Sequence, residues 1–360
     1  MIQNSPQTAD APGADGVADD RITRPLPSKS SLNTTTMSQL FTHRVQRLQR
    51  FRARTFAFLK RTLPSWRWLD RLLLSLQFMW LNGRPPRGVH SADACFSDLM
   101  FEKSTTAVWS DLDRRVSDRV TAPDAARALS STVKFARREA VIDVPPNAST
   151  AELQHLLQPW MGRMLIAKPA HGCGGHVYLH QAPSDQEWAL FRRMAVSDYY
   201  DLSRERQYHG MAKRIVVEEV LGGVPRGIID YKFVCIFGRP VLVSWGVGVG
   251  AARRRGFFSL PEWHGLSYDL PADIRRSYFH DRFETDTPRP KHLDEMMNIA
   301  SELSAPFDVV RIDLYSLPDG VYFGEFTLTP GGGTMPLTPN LGNDRAVMAE
   351  YRAALERRRV

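Results

Sequence analysis

The apolar residues of the chain change their spacing twice, which divides the sequence into three stretches. Residues 1–40 are polar and without a period, so they predict a disordered tail, and they lack the apolar segment of a secretory signal. From residue 41 to about 81, apolar residues recur every three or four positions with a break at Pro64, which predicts two helices. Beyond residue 86, short apolar runs alternate with helical patterns, which predicts an α+β fold.

The third stretch contains specific start and turn signals. Strands are predicted at "MLIAKP", "HVYLH" and "RIVVEEVL", and helices at about 184–195 and at "KHLDEMMNIASEL". Ser149 and Glu152 form a capping box that opens a further helix. Two hairpins are predicted, one turning at Gly238 and one at "PDG". The expected divisions are a main domain over 86–345, subdomains over about 164–222 and 223–340, and a C-terminal helix over 346–360.

The second hairpin places two carboxylates where a core is expected. Asp313 and Glu325 lie among apolar residues, and if the turn is centred on "PDG", positions that sum to about 638 form pairs. Asp313 then lies opposite Glu325, and Arg311 lies opposite Thr327. Opposed carboxylates repel each other in a sheet, whereas Mg²⁺ prefers such oxygen ligands and would reverse the sign of the interaction. The alternative is that Arg311 pairs with one carboxylate and the other is solvated.

Three upstream segments also carry candidate chemistry. Lys168 ends a strand before "AHGCGG", whose glycines would let backbone N–H groups approach phosphate oxygens, although this is not a Walker loop. Glu218 and Glu219 end a strand at a position that suits an adenine edge, and Asp230 and Lys232 share one strand face. The structural alternatives are a glycine-rich turn, a solvated acidic pair and an internal salt bridge.

In this order, the four segments resemble the ATP-grasp superfamily, and within it the TupA-like family associated with teichuronopeptide and polysaccharide biosynthesis. The resemblance rests on "KPAHGCGG", "VEEVL", "DYKF", "VRIDLY" and "VYFGEFTLTPGGG", and it covers residues 86–340. It implies an ATP-grasp fold in which two α+β subdomains clamp a nucleotide, here preceded by basic helices. The first subdomain would carry a glycine flap and the second the metal site.

The resemblance also implies roles for individual residues, with ATP and Mg²⁺ as cofactors. Asp313 and Glu325 would hold Mg²⁺ together with Thr327, which stands where these sites often have Asn. Arg311 would stabilise the transferred phosphoryl group, and Lys232 would share in catalysis. The nucleotide would contact Lys168, a flap of Gly172, Gly174 and Gly175, a hinge of Glu218, Glu219, Val220 and Leu221, and the pair of Asp230 and Lys232.

One family segment is altered in this chain. The family pattern "D-K-x-x-V-R-[DE]-x-V" has its best counterpart in "LDRRVSDRV", where Asp113 stands at the Lys position and Ser117 at the Arg position. The contact made by this segment is therefore either missing or supplied by Arg114 or Arg115.

The implied activity is an ATP- and Mg-dependent carboxylate–amine ligase that works through an acyl phosphate in cell-surface polysaccharide or peptide–glycan biosynthesis. The basic stretch Arg253–Arg255 would hold an acidic acceptor, or it is a solvated loop. Two alternatives stay open. One is an ATP-dependent kinase or transferase that acts on a sugar or glycan, and the other is a degenerate nucleotide-binding partner protein.

Charge adds a further expectation. The chain has a formal net charge of +8, and residues 41–71 hold nine Lys or Arg against a single acid, Asp70. Basic side chains between aromatic residues and leucines predict that residues 41–82 lie on an anionic membrane surface, and the alternative is two ordinary helices packed on the main domain. The longest apolar run, Leu72–Leu81, is too short to span a bilayer, and no reader motif indicates nucleic acid.

The three cysteines form no disulfide framework or zinc spacing. This usage predicts a reducing, cytoplasmic location. If the basic helices bind lipid, the protein would be peripheral on the inner face of the membrane.

Overall fold

The computed structural model describes residues 55–223, 225, 227–248, 254–267, 282–338 and 340–358. The predicted tail, residues 41–54 and Arg253 lie outside these ranges. The α-helices are α1 (55–62), α2 (Arg67–Asn82), α3 (Phe96–Thr106), α4 (Asp111–Ser117), α5 (Ala122–Leu129), α6 (Thr150–Leu157), α7 (Asp185–Val196), α8 (Tyr199–Ser203), α9 (Leu293–Ser304) and α10 (Leu341–Arg357).

The strands form two sheets, and this mixture of helices and sheets confirms the predicted α+β class. The small sheet has the order β1–β4–β2–β3, and the large sheet has the order β11–β10–β5–β6–β7–β8, with β9 pairing in parallel with β7. The strands are β1 (Arg138–Asp143), β2 (Leu165–Pro169), β3 (Val177–Tyr178), β4 (Arg214–Glu219), β5 (Asp230–Ile236), β6 (Arg239–Val247), β7 (Arg254–Ser259), β8 (His264–Gly265), β9 (Arg282–Phe283), β10 (Val309–Leu317) and β11 (Gly320–Thr327).

The local signals read from the sequence are present in the structure. Ser149 and Glu152 form the predicted capping box of α6. The β5–β6 hairpin turns at Phe237 and Gly238, which have φ values of 47° and 79°, the left-handed region that a two-residue hairpin turn requires. Strand β3 is shorter than predicted, because only Val177 and Tyr178 pair with β2.

The large sheet is buried on both faces. On one face, Phe233 and Ile312 pack with Met296 of α9 in the main core cluster. On the other face, Val234 and Val309 pack in a second cluster with residues of α3 and α10. The small sheet packs separately against α6 and α7. Side chains therefore alternate between two cores along β5 and β10, which is the pattern of strands buried on both sides.

A buried polar cluster ties α1 and α2 to the rest of the domain. Asp70 of α2 accepts hydrogen bonds from the Tyr200 hydroxyl at 2.8 Å and from Arg204 Nη1 at 3.0 Å, and its Oδ2 lies 2.7 Å from Arg206. Arg204 is fully buried and also donates to the carbonyl of Pro64 in the α1–α2 turn. Since a buried charge needs paired and hydrogen-bonded partners, this cluster fixes the start of α2.

We expect Asp70→Asn to lower the free energy of unfolding by about 3 kcal/mol, because it leaves Arg204 buried without its counter-ion. Urea denaturation measures this change. The exposed Glu302→Gln is the matched control and should leave the midpoint unchanged. Equal midpoints for the two variants would contradict the role of the cluster.

Candidate active site

The candidate site continues the second face of the large sheet beyond α3 and α10. Alternate positions of β10 carry Arg311, Asp313 and Tyr315 after the buried Val309, and those of β5 lead from Val234 to Lys232. The face that is apolar beneath the helices thus becomes charged along the same strands. The side chain of Asp313 is nevertheless only 2% exposed.

The predicted register of the β10–β11 hairpin is confirmed. Asp313 lies opposite Glu325, and Arg311 lies opposite Thr327. The turn differs from the expectation, because Leu317 pairs with Gly320 and the pairs near the turn sum to 637. The register shifts by one residue between Asp313 and Leu314 on β10, which leaves Gly324 of β11 as the extra residue of a β-bulge.

The bulge decides which face of β11 carries Glu325. Val321 and Phe323 point into the main core before the bulge, and Phe326 does so after it, so the alternation changes phase at Gly324. An added Cβ at Gly324 would lie 2.9 Å from the Asp313 carbonyl oxygen. Glycine therefore permits the close approach that places Glu325 beside Asp313.

Cationic side chains surround the two carboxylates. Arg311 donates from Nε to Asp313 Oδ1 at 2.6 Å and from Nη2 to Asp313 Oδ2 at 2.8 Å, and the same Nη2 lies 3.2 Å from Glu325 Oε1. Lys232 bridges Asp230 and Asp313. The arrangement differs from the alternative in which Arg311 pairs with one carboxylate and the other is solvated, because Arg311 contacts both carboxylates.

Arg119, which the sequence analysis did not single out, supplies the second cation for Glu325. Its Nη2 donates to Glu325 Oε2 at 2.9 Å, and its Nη1 donates to the carbonyls of Pro169, at 2.8 Å, and Gly172. Arg119 thereby connects the loop after β2 of the small sheet to β11 of the large sheet. The sequence offers one signal for Arg119, namely that it lies in the altered family segment "LDRRVSDRV". That segment does not indicate the partner of Arg119, because Glu325 is more than 200 positions away.

The other arginines of this segment lie away from the carboxylates. Arg114 donates to the carbonyl of His209 at 2.9 Å, and Arg115 is exposed. Asp113 caps α4 through the backbone N–H of Ser110. In the structure neither Arg114 nor Arg115 is bonded to the two carboxylates, whereas Arg119 donates to Glu325.

The two carboxylates differ in their proton affinity. Burial raises the pKa of Asp313 above its ordinary value, and Arg311 and Lys232 offset this only in part. Burial also acts to raise the pKa of Glu325, but Arg119 and Arg311 outweigh it and lower that pKa to about 2. Glu325 is thus held ionised by its cationic neighbours.

Several of the residues that are predicted to contact a nucleotide lie in or directly after strands of the small sheet. Lys168 of β2 donates to Glu218 of β4. Glu219 accepts from the backbone N–H of Arg137 at 2.9 Å, and the Val220 N–H donates to the Met164 carbonyl at 3.2 Å. Leu221 begins a short 3₁₀ turn that ends at Gly223. Lys168 and Glu218 therefore form an ion pair. Glu219 and the Val220 N–H instead form hydrogen bonds to the backbone of neighbouring segments, at Arg137 and Met164.

The glycine loop between β2 and β3 packs closely against α7 and α8. Added Cβ atoms at Gly172 and Gly175 would lie 2.6 Å from the Tyr199 ring and 2.4 Å from Met194. Gly174 has a φ of 79°, which also favours glycine. The exposed Cys173 lies at the centre of this loop.

Arg254 belongs to the basic stretch Arg253–Arg255, which the sequence analysis considers as a site for an acidic acceptor. It donates from Nε to Glu284 Oε1 at 2.6 Å and from Nη2 to Glu284 Oε2 at 2.8 Å. Its charge is therefore balanced within the protein. Arg253 lies outside the described residues.

The donor set fits a hard divalent cation bound together with phosphates. Asp313 and Glu325 present carboxylates side by side, and the buried Oδ1 of Asp230 accepts no hydrogen bond from the described residues. Within those residues no group of three or more His, Cys, Asp or Glu that could hold a metal ion occurs. At nucleotide sites Mg²⁺ takes few protein ligands, and phosphates and water complete the coordination.

We expect Gly324→Ala to lower the free energy of unfolding by about 1–3 kcal/mol, because the new methyl group would overlap the Asp313 carbonyl. Urea denaturation measures the effect. Gly88→Ala, where an added Cβ meets nothing within 4 Å, is the control and should be neutral. A neutral Gly324→Ala would show that the bulge does not need glycine.

Comparison with known proteins agrees with the four motifs. Residues 141–345 match the TupA-like ATP-grasp family. None of the curated proteins matches the chain.

Several solved structures align with the chain at low similarity. D-alanine–D-alanine ligase from Helicobacter pylori aligns with 66% of this chain and 61% of its own length, at 14% identity and a TM-score of 0.32. The corresponding ligase from Bacillus anthracis aligns with 67% of this chain and 66% of its own length, at 11% identity and a TM-score of 0.33. D-cycloserine synthetase DcsG aligns with 68% of this chain and 71% of its own length, at 16% identity and a TM-score of 0.36. The chain thus spans about three fifths of the H. pylori ligase.

The family match covers more than half of the 360 residues and includes the glycine loop, β4, β5 and the β10–β11 hairpin. The chain therefore belongs to the TupA-like ATP-grasp family.

Proposed function

We propose that the protein is an ATP- and Mg-dependent ligase that joins a carboxylate to an amine. The observation that carries the proposal is the cross-strand pair of Asp313 and Glu325, which is enclosed by Arg311, Lys232 and Arg119. Phosphoryl transfer needs little covalent help from a protein, and depends on positioned cations that offset the charge of the phosphates. Family membership supports ATP as the phosphoryl donor.

Asp313, Glu325 and the hydroxyl of Thr327 would hold Mg²⁺, which supplies charge compensation to the phosphates when it is bound. Lys168 and Lys232 already pair with carboxylates, and in the proposal they turn toward phosphate oxygens. Asp230, which contacts Lys232, would keep that ammonium group in place. Arg311 lies between the two carboxylates, from where it would stabilise the transferred phosphoryl group.

The proposed reaction has two balanced steps. A carboxylate oxygen of the substrate attacks the γ-phosphorus, the bond to ADP breaks, and an acyl phosphate forms. An amine then attacks the acyl carbon, phosphate leaves, an amide bond forms, and the nitrogen loses a proton to solvent. Since an acyl phosphate hydrolyses in water, the site must exclude water between the two steps.

The glycine loop is suited to that exclusion. Gly172, Gly174 and Gly175 would cover the triphosphate, and Glu218, Glu219, Val220 and Leu221 would contact the adenine. Arg119 links this loop to Glu325 through the Gly172 carbonyl, so we propose that it aligns the flap with the metal ligands.

The motif resemblance alone supports a place in cell-surface polysaccharide or peptide–glycan biosynthesis. The kinase or transferase and the non-catalytic partner remain alternatives, and products distinguish them. We expect ADP and inorganic phosphate to appear together only when a carboxylate and an amine are both present with Mg-ATP. ADP with a phosphorylated product would instead identify a kinase, and ATP binding without ADP release would identify a non-catalytic member.

Asp313→Asn and Glu325→Gln should each lower turnover at least a hundredfold, because each removes a charge that the proposal assigns to the metal. Steady-state release of ADP measures the effect, and circular dichroism checks the fold. Glu302→Gln serves as the control. Near-normal turnover in both site variants would refute the metal assignment.

Arg119→Gln should weaken ATP binding by about ten- to a hundredfold, because the glycine loop loses its charged hydrogen-bond link to Glu325 and is no longer held in line with the metal ligands. Titration with a fluorescent ATP analogue measures the affinity. Arg115→Gln changes an exposed arginine of the same segment and should have no effect. Equal affinities for these two variants would show that Arg119 is dispensable.

A further inference from the structure

Helix α2 carries large apolar side chains on two opposite faces. Its inner face is buried by the rest of the domain through Leu69, Leu73, Leu74, Phe78 and Leu81. Its outer face is formed by Trp68, Leu72, Leu76 and Met79, which are 61%, 48%, 40% and 38% exposed. These four residues follow one another at intervals of four, four and three, the spacing of a single helical stripe. A helix that only packed on the domain would need the inner face alone.

One neighbouring side chain extends the outer face. Trp66, which precedes α2, is 56% exposed and stacks on Trp68 with ring centroids 5.8 Å apart, and Phe58 of α1 is 64% exposed as well. Six of the eleven exposed large hydrophobic residues in the described part of the chain therefore lie within residues 55–82. We call the surface of Trp66, Trp68, Leu72, Leu76 and Met79 the outer patch. An exposed apolar stripe of this kind is typical of an interaction site.

The exposed charged residues of the segment 55–82 have a single sign. They are Arg61, Arg67 and Arg71. Asp70, the one acid between residues 41 and 71, is buried and paired with Arg204 and Arg206, so it offsets none of this surface charge. Lys60 is buried as well, so the exposed charge of residues 55–71 comes from these three arginines alone.

We propose that the outer patch binds the surface of an anionic lipid bilayer, with α2 lying in the plane of the interface. Trp and Leu side chains suit the boundary between headgroups and acyl chains, and the arginines suit anionic headgroups. Within the described residues no helix is long and apolar enough to cross a bilayer, so the contact would be superficial.

Charge favours lipid over the two other occupants that the chain itself could provide. A second copy of the protein would bring its own Arg61, Arg67 and Arg71 against the same arginines. Residues 41–54 contain five arginines and no acid, so they would also add like charge to the patch. Both arrangements would be repulsive at low salt, whereas an anionic surface attracts all of these residues together.

The rigid attachment of α2 gives the contact a defined orientation. Gln77 donates to the Thr334 hydroxyl at 2.7 Å, and Asn82 donates to the Thr334 carbonyl at 2.8 Å. Thr334 follows the glycine turn Pro330–Gly333, which begins three residues after β11 ends. Lipid bound at the outer patch would therefore lie across one helix from the segment that leaves the candidate site.

Sedimentation of the full-length protein with vesicles tests the proposal. We expect the protein to bind vesicles of phosphatidylcholine mixed with phosphatidylserine, to bind pure phosphatidylcholine vesicles weakly, and to be released by high salt. The triple variant Trp68→Gln, Leu72→Gln and Leu76→Gln should lower partitioning tenfold or more, because three apolar side chains no longer enter the interface. These positions face outward, so the inner face of α2 stays intact.

The matched control replaces exposed apolar residues elsewhere, Val108→Gln and Leu190→Gln, and should leave partitioning unchanged. Unchanged binding of the triple variant, or no binding by the wild type, would overturn the proposal. A wild-type dimer that the triple variant converts to a monomer, without vesicle binding, would assign the patch to a second copy instead. Thermal unfolding of every variant establishes that a loss of binding does not come from a loss of fold.

Discussion

The candidate site depends on cations that compensate the negative charge of two carboxylates, which the hairpin places side by side. Asp313 and Glu325 are cross-strand neighbours, and Asp313 is almost completely buried. Directly opposed carboxylates in a sheet destabilise it, and burial increases the cost. Three cations from three different parts of the chain meet this requirement: Arg311 from β10 itself, Lys232 from β5, and Arg119 from the segment after α4. The same charges that stabilise the hairpin are those the proposed chemistry would use.

This arrangement connects stability with function. The cations are paired with the protein's own carboxylates. Mg²⁺ bound with ATP would introduce a cation for the carboxylates and phosphates for the arginines and lysines, so the partners can exchange without leaving a buried charge alone. Arg119 would extend this exchange beyond the hairpin, because it also contacts the carbonyls of Pro169, at the end of β2, and of Gly172, in the glycine loop. One guanidinium group therefore links Glu325 to the glycine loop.

The sequence predicts the pairing of Asp313 with Glu325 correctly, but it does not predict the β-bulge on which that pairing depends. A turn centred on "PDG" predicts that Asp313 pairs with Glu325 across a regular ladder. In the structure the turn falls between Leu317 and Gly320, and a regular ladder from that turn would pair Asp313 with Gly324. The bulge at Gly324 restores the expected pair. A bulge is set by the close approach of two backbones, which sequence periodicity reports only indirectly, through a glycine inside a strand.

The sequence by itself determined the α+β class, most of the helices and strands, the capping box of α6, the two hairpins and the four motifs, because each depends on residues close together in the chain. Only the tertiary structure decided which cations neutralise the carboxylates, since Arg119 and Glu325 meet across the two sheets. It also decided how the leucines and aromatic residues of α2 divide between the core and the surface, because a helix that is apolar on two sides gives no periodic signal for which side is covered. Local order follows from local sequence, whereas charge compensation and burial depend on which distant segments the fold brings together.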